Sequence, residues 1–180
     1  MDNVGRPYYA APDAEVEIKT NEGTLNMANF NQAVSLTLKN EGGFTDNPAD
    51  PGGATNMGIE QRDLPDTPIR SLTVAQATAF YSDRYWKGLY GSIESQAVAN
   101  KLFDLGVLFG VGTAVKTLQT VLQITQDGVF GPATLSALNA AGDAVLPEYK
   151  AAMLDRANEI VGQNPAEAVF LDGWERRIQS

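Results

Sequence analysis

Two carboxylates flank one glycine- and proline-rich stretch. Glu41 stands directly before Gly42-Gly43, and Asp50 follows nine positions later, ahead of Pro51-Gly52-Gly53. Carboxyl groups on either side of a tight loop suggest acid chemistry on a sugar, where one group protonates the leaving oxygen and the other serves the opposite face of the ring. The composition removes most other hydrolytic chemistry. The 180-residue chain has no Cys and no His. Thiolate nucleophiles, disulfides, Ser-His-Asp and Cys-His triads and most zinc sites are thereby excluded. Catalysis must lean on carboxylates, Lys, Tyr or hydroxyls.

An acid of this kind needs a helix to hold it. Asn29 has the character of an N-cap, with Gln32 in the capping-box position. Phe30, Ala33, Val34, Thr37 and Leu38 then recur at helical spacing, and Glu41 is the next position on that stripe. Glu41 is therefore expected at the C-terminal end of a helix, turned toward the core. A carboxyl pressed against apolar groups has its charged form disfavoured, which suits a general acid. Gly42 or Gly43 can take the left-handed conformation that ends the helix. The stretch from Phe44 to Ile59 is rich in turn signals (Asn-Pro, Asp-Pro-Gly-Gly, Asn-Met-Gly) and predicts a loop with a few short strands.

The rest of the chain is largely helical. Thr73 with Gln76 predicts a capped helix through about Trp86, with Val74, Ala77, Tyr81 and Tyr85 on one side. Ser92 or Ser95 opens another, whose strong apolar face of Val98, Leu102, Leu105, Gly106 and Phe109 marks it as the central helix. Gly110 to Gly112 break it, and Thr113 is expected to cap the next, carrying Val115, Leu118 and Leu122. Pro132 sits at a first helical position before a short helix with Leu135 and Leu138. Tyr149 to Ile160 form a long helix, and Asn164-Pro165 with Glu167 start the last. Residues 1–28 stand outside this pattern as an N-terminal extension, a poorly ordered tail or a docking arm, in which Val16 and Ile18 could make one short strand. The expectation is one mainly α (α+β) domain over residues 29–180 with a small β element after the first helix.

Apolar residues make up 43% of the chain, the level of a globular protein. Thirteen basic against 22 acidic residues give a net charge of −9, so nucleic acid is not an expected partner. No apolar run approaches a membrane span, and the N-terminus lacks the pattern of a secretory signal. Tyr85 and Trp86 are candidates for stacking on sugar rings. Asp104, following an apolar face, could buttress a cleft. Asp46, Asn47 and Asp50 only loosely suggest a calcium loop and lack its closing Glu, so no metal and no cofactor is expected.

Several of these segments carry a resemblance. Glu41-Gly-Gly-Phe44, Asn47-Pro-Ala-Asp-Pro-Gly-Gly-Ala-Thr-Asn56 and Met57-Gly-Ile59 resemble the signature of glycoside hydrolase family 108, phage and bacterial N-acetylmuramidases. The likeness continues through Tyr81 to Trp86, Phe103-Asp104 and Gly110 to Ala114. It extends to Leu118-Gln119, Asp127 to Leu135 and Gly173-Trp-Glu-Arg-Arg177. The turn at Asp127 also resembles that of peptidoglycan-binding modules, so residues 29–92 form the catalytic signature region and 93–180 a peptidoglycan-binding-like region.

The resemblance implies a lysozyme-like fold and hydrolysis of the β-1,4 bond between N-acetylmuramic acid and N-acetylglucosamine. It places the catalytic Glu on Glu41. Related phage lysozymes have an Asp nine residues after the Glu, matched by Asp50, and a Thr after five further residues. That last position holds Asn56, with Thr55 one short, so either would help hold a water. The family's Asn after the Asp-x-x-Val element is here Leu108. The implied setting is a monomeric phage endolysin, kept in the host cytoplasm until a holin-type lesion gives access to the wall. The alternatives are a virion-associated wall-binding protein docked through residues 1–28, a lytic transglycosylase, or a host wall-remodelling enzyme.

Overall fold

The computed structural model describes residues 27–46 and 53–180. Asp50, Asn47 and the strand expected at Val16 and Ile18 lie outside them. Seven helices and a two-stranded antiparallel sheet are described: α1 Phe30–Asn40, β1 Thr55–Asn56, β2 Ile59–Glu60, α2 Val74–Tyr85, α3 Gln96–Phe109, α4 Val111–Val121, α5 Pro132–Ala141, α6 Leu146–Gln163 and α7 Ala168–Gln179. This is the mainly α architecture with a small β element that the sequence predicts.

Most helix starts follow their local signals. Thr73 and Gln76 form a reciprocal capping box on α2, Ser95 caps α3 by accepting from Val98 N–H, and Pro132 occupies the first turn of α5. Two starts differ. Asn29 caps α1 through its side chain, but its own N–H donates 2.6 Å to Gln96 Oε1 on α3 rather than to Gln32. The distant glutamine ties the first turns of α1 and α3 together. Thr113, expected as a cap, lies inside α4. The break between α3 and α4 is Gly110 alone, at φ +86°, a conformation glycine adopts without a Cβ penalty.

The hairpin also has a local cause. Asn56 pairs with Ile59 across a two-residue turn in which Met57 and Gly58 have φ of +50° and +74°. That is the mirror-image turn whose twist matches antiparallel strands. A β-bridge between Thr45 and Thr55 adds the segment after Glu41 to one edge.

Two apolar clusters hold these elements. One gathers Ala33 and Val34 of α1, Ile59 of β2, Ile69, Leu72, and Ala77 and Tyr81 of α2 around Phe103. The other joins α3 to α7 through Leu102, Leu105, Val115, Leu118, Tyr149, Met153 and Ile178. Helix α3 feeds both, and from Lys101 to Gly106 it is buried on every side. A helix buried all round is the centre of its fold. Trp86 fills the seam, its ring 5.4 to 5.8 Å from those of Phe30, Tyr90 and Phe103.

Candidate active site

Helix α1 ends at Glu41, whose backbone has left the helix (φ −87°, ψ 44°), and Gly42 follows at φ +30°. The buried stripe of Ala33, Val34 and Thr37 directs the Glu41 side chain inward, and it retains 16% exposure. The expected position on the inner face holds, but the surroundings are not merely apolar.

Three elements converge on this carboxyl. From α7, Arg177 Nη1 lies 2.7 Å from Glu41 Oε1. From the hairpin, Gly58 presents bare backbone: a Cβ there would stand 2.3 Å from Glu41 Oε2 and 2.6 Å from Tyr81 Oη. From α2, Tyr81 reaches the same point and donates its hydroxyl to Met57 C=O at 2.9 Å. That bond fixes the turn carrying Met57, a non-glycine residue in left-handed backbone. Burial, with Glu41 nearby, pushes the Tyr81 phenol well above its ordinary value, so it stays a neutral donor.

Behind Arg177 stands Asp104 of α3. Arg177 Nε donates to both carboxylate oxygens (3.1 and 3.0 Å) and Nη2 donates to Oδ1 at 2.9 Å. Thr37 of α1, one turn before Glu41, donates its hydroxyl to the same Oδ1 at 2.9 Å. Asp104 is 6% exposed, and its acceptors are occupied by protein donors. It buttresses the site from behind Arg177. Charge-assisted bonds to Asp104 and the nearness of Glu41 raise the Arg177 pKa against the opposing effect of burial.

The other candidates separate. Asn56 is 8% exposed and its Nδ2 donates 3.0 Å to Ile69 C=O, so its amide anchors the hairpin to the core. Thr55, its neighbour in the strand, presents the opposite face, and its backbone exchanges hydrogen bonds of 2.8 and 2.9 Å with Thr45. Tyr85 is half-buried beside Tyr81, ring centroids 5.7 Å apart, and its hydroxyl pKa is raised by burial, with Arg84 lowering it and Asp63 and Glu41 adding to the rise. Trp86, expected to meet sugar, is partly buried and packs in the seam between the two clusters. The Asp127–Thr134 turn is organised inwardly: buried Gln119 donates to Asp127 Oδ1, Val129 C=O and Thr134 Oγ1, and accepts from Gly128 N–H. Asp46 faces Arg70 at 3.6 Å. Among the described residues no cluster of three or more His, Cys, Asp or Glu could hold a metal ion, and no helix is long and apolar enough to cross a membrane.

Sequence reasoning did not single out Arg177, Gly58 or Tyr81 for the site. Each had a signal, namely an Arg pair in the last helix, a glycine in a turn motif, and an aromatic on a helix face. None of these signals says which distant group it meets.

Comparison with known proteins matches two segments of the chain, with the boundary after α3 and not at residue 92. Residues 34–110 match the family model Glycosyl hydrolase 108, and residues 113–179 match that of a Predicted Peptidoglycan domain. The solved structure of Brucella abortus SagA is 32% identical, with a TM-score of 0.68, over 83% of this chain and 89% of that one. The chain belongs to glycoside hydrolase family 108. Its fold is lysozyme-like, it is a glycoside hydrolase, and its substrate is peptidoglycan. No protein of curated function matches it. In this family 108 hydrolase, Glu41 lies in the first matched segment and Arg177 in the second, so their ion pair crosses from one to the other.

Proposed function

We propose that this hydrolase is an N-acetylmuramidase, a lysozyme, that cleaves the β-1,4 bond between N-acetylmuramic acid and N-acetylglucosamine with Glu41 as general acid. The observation that carries the reading is the convergence of α1, α2, α7 and the hairpin turn on the Glu41 carboxyl. Protonated Glu41 gives its proton to the glycosidic oxygen as the bond from C1 breaks. Positive charge spreads over C1 and the ring oxygen. Water then adds to C1 and passes its proton to Asp50, as in an inverting mechanism. Thr55 is the better partner for that water, because the amide of Asn56 is committed to Ile69.

The biological setting we propose is phage endolysis, with the enzyme held in the host cytoplasm until a holin-type lesion opens. Residues 1–28 serve as a docking arm if the protein is instead carried by the virion. Copurification with phage particles would favour the virion role.

The deciding experiment is a turbidity assay on chloroform-treated Gram-negative cells, with wild type beside Glu41→Gln. Lysis should vanish in the variant while its circular dichroism and melting temperature stay those of wild type. Full lysis by Glu41→Gln would end the assignment. Mass spectrometry of the digests should show reducing ends; 1,6-anhydro ends would assign a lytic transglycosylase.

A further inference from the structure

Near its end, the segment that matches a Predicted Peptidoglycan domain carries a residue, Arg177, aimed at the candidate catalytic carboxyl, not at open surface. We propose that Arg177 is a positioning residue for Glu41, so that α7 forms one wall of the active site and is not part of a detachable wall-binding module. The proposal rests on Glu41 being the acid.

The geometry divides Arg177 between two tasks. Nε and Nη2 are spent on Asp104 in a planar fork, and Nη1 alone is left for Glu41. A guanidinium clamped by one carboxylate has lost its rotamer freedom and offers its remaining N–H from a fixed point. Asp104 is itself held by Thr37, in the helix that Glu41 terminates. The chain of contacts from Thr37 through Asp104 and Arg177 to Glu41 is therefore a closed loop that sets the carboxyl relative to its own helix.

The backbone beneath Arg177 is fixed with equal care. Lys101 of α3 donates 2.9 Å to Arg177 C=O. Lys150 of α6 donates 2.8 Å to the carbonyls of Gln179 and Ser180. Two cations thus sit at the C-terminal end of α7, where carbonyls lack helical partners. The next residue, Ile178, is fully buried. A helix that only carried a binding face would not need its last turn anchored from two sides.

During the reaction the pair has to open. Glu41 must hold a proton when the glycosidic oxygen arrives, and Arg177 then stays on Asp104 through its three remaining hydrogen bonds. Arg177 fixes where the carboxyl waits and leaves it free to turn to the sugar.

The test uses the full chain with Arg177→Gln and Arg177→Lys, measuring kcat and KM for fragment release from purified sacculi, sacculus binding by sedimentation, and melting temperature. Arg177→Gln should lower kcat by about 100-fold, the scale of an ångström-sized misplacement of a reacting group. Sacculus binding and KM should hold within about threefold, and Arg177→Lys should recover part of the kcat loss. Unchanged kcat overturns the proposal. So does a loss confined to KM and sacculus binding, which would make α7 a binding face, or a Lys variant no better than Gln with both melting early, which would make the role structural. If Arg177→Gln does not fold, Arg177→Lys decides: reduced kcat at native melting temperature supports the proposal, and wild-type kcat overturns it. Full activity of Glu41→Gln in the same assay would instead refute the acid assignment, whatever the Arg177 variants do.

Discussion

Gly58 lies so close to Glu41 that a methyl group on its Cα would stand 2.3 Å from Oε2 and 2.8 Å from Cδ of the carboxyl. The turn is pressed against the acid, and only a hydrogen atom fits between them. Gly58→Ala should therefore push the carboxyl away and also force a side chain into backbone at φ +74°. The expected cost is about 1–3 kcal/mol of stability, from left-handed strain plus a close contact. The activity loss should exceed what the melting curve explains. Urea unfolding beside a lysis assay checks both, and an alanine variant with wild-type activity would show that the turn does not set the acid.

Among the described residues, Thr37 is bound to the site through Asp104. Replacing it with valine keeps the shape and removes one hydrogen bond to a buried charged group, worth about 1.5–3 kcal/mol. Thr37→Val should lose stability in that range. Combined with Arg177→Gln, the two losses should not add, because both act on the same Asp104 carboxylate. A double-mutant cycle with zero coupling energy would contradict the closed loop.

Lys101 is a buried lysine whose pKa falls to about 8, chiefly through burial, with Asp104 opposing the shift. Unfolded, it titrates near 10.5. Between these values the unfolded chain binds more protons than the folded one, so the stability contributed at this position rises with pH from about 8 to 10.5. Compared with Lys101→Met, wild type should gain stability on going from about pH 7.5 to about pH 9.5. Chemical denaturation of both proteins at the two pH values measures it, and a constant difference would refute the linkage. The raised phenols of Tyr81 and Tyr90 work in the opposite sense from about their ordinary value of 10.0 upward, and they cancel between wild type and Lys101→Met.

Two buried tyrosines offer an internal contrast. Tyr149 donates its hydroxyl to Ala114 C=O at 3.0 Å, whereas Tyr90 Oη has no hydrogen-bond partner among the described residues. Tyr149→Phe should cost about 1 kcal/mol. Tyr90→Phe should be neutral or slightly stabilising, since it removes a buried polar atom that gains nothing. Equal losses in thermal melts of the two variants would reverse this expectation.

Much of the framework was legible before any coordinates. Thr73 with Gln76, Ser95 and Pro132 mark helix starts because a cap satisfies orphan N–H groups within one turn of chain, and such partners are close in sequence by necessity. The placement of Glu41 at the inner end of α1 follows from helical periodicity for the same reason. What failed were two helix starts, one of which took its partner from a distant element. Asn29 N–H went to Gln96, and the expected cap at Thr113 gave way to a single left-handed glycine between two packed helices.

The stretch around Glu41 declared by itself that this carboxyl lies on the inner side of its helix end and that Met57-Gly58 turns the chain. It did not declare the company that carboxyl keeps. Arg177, Tyr81 and Gly58 come from α7, α2 and a hairpin, and their approach depends on how Phe103 and Ile178 seat those elements against α3. Hydrophobic burial is indifferent to direction, so the sequence can state that a face is buried without stating against what. Only tertiary packing decided that Asn56 turns inward to Ile69, that Trp86 closes a seam, and that an arginine from the last helix meets the glutamate at the end of the first.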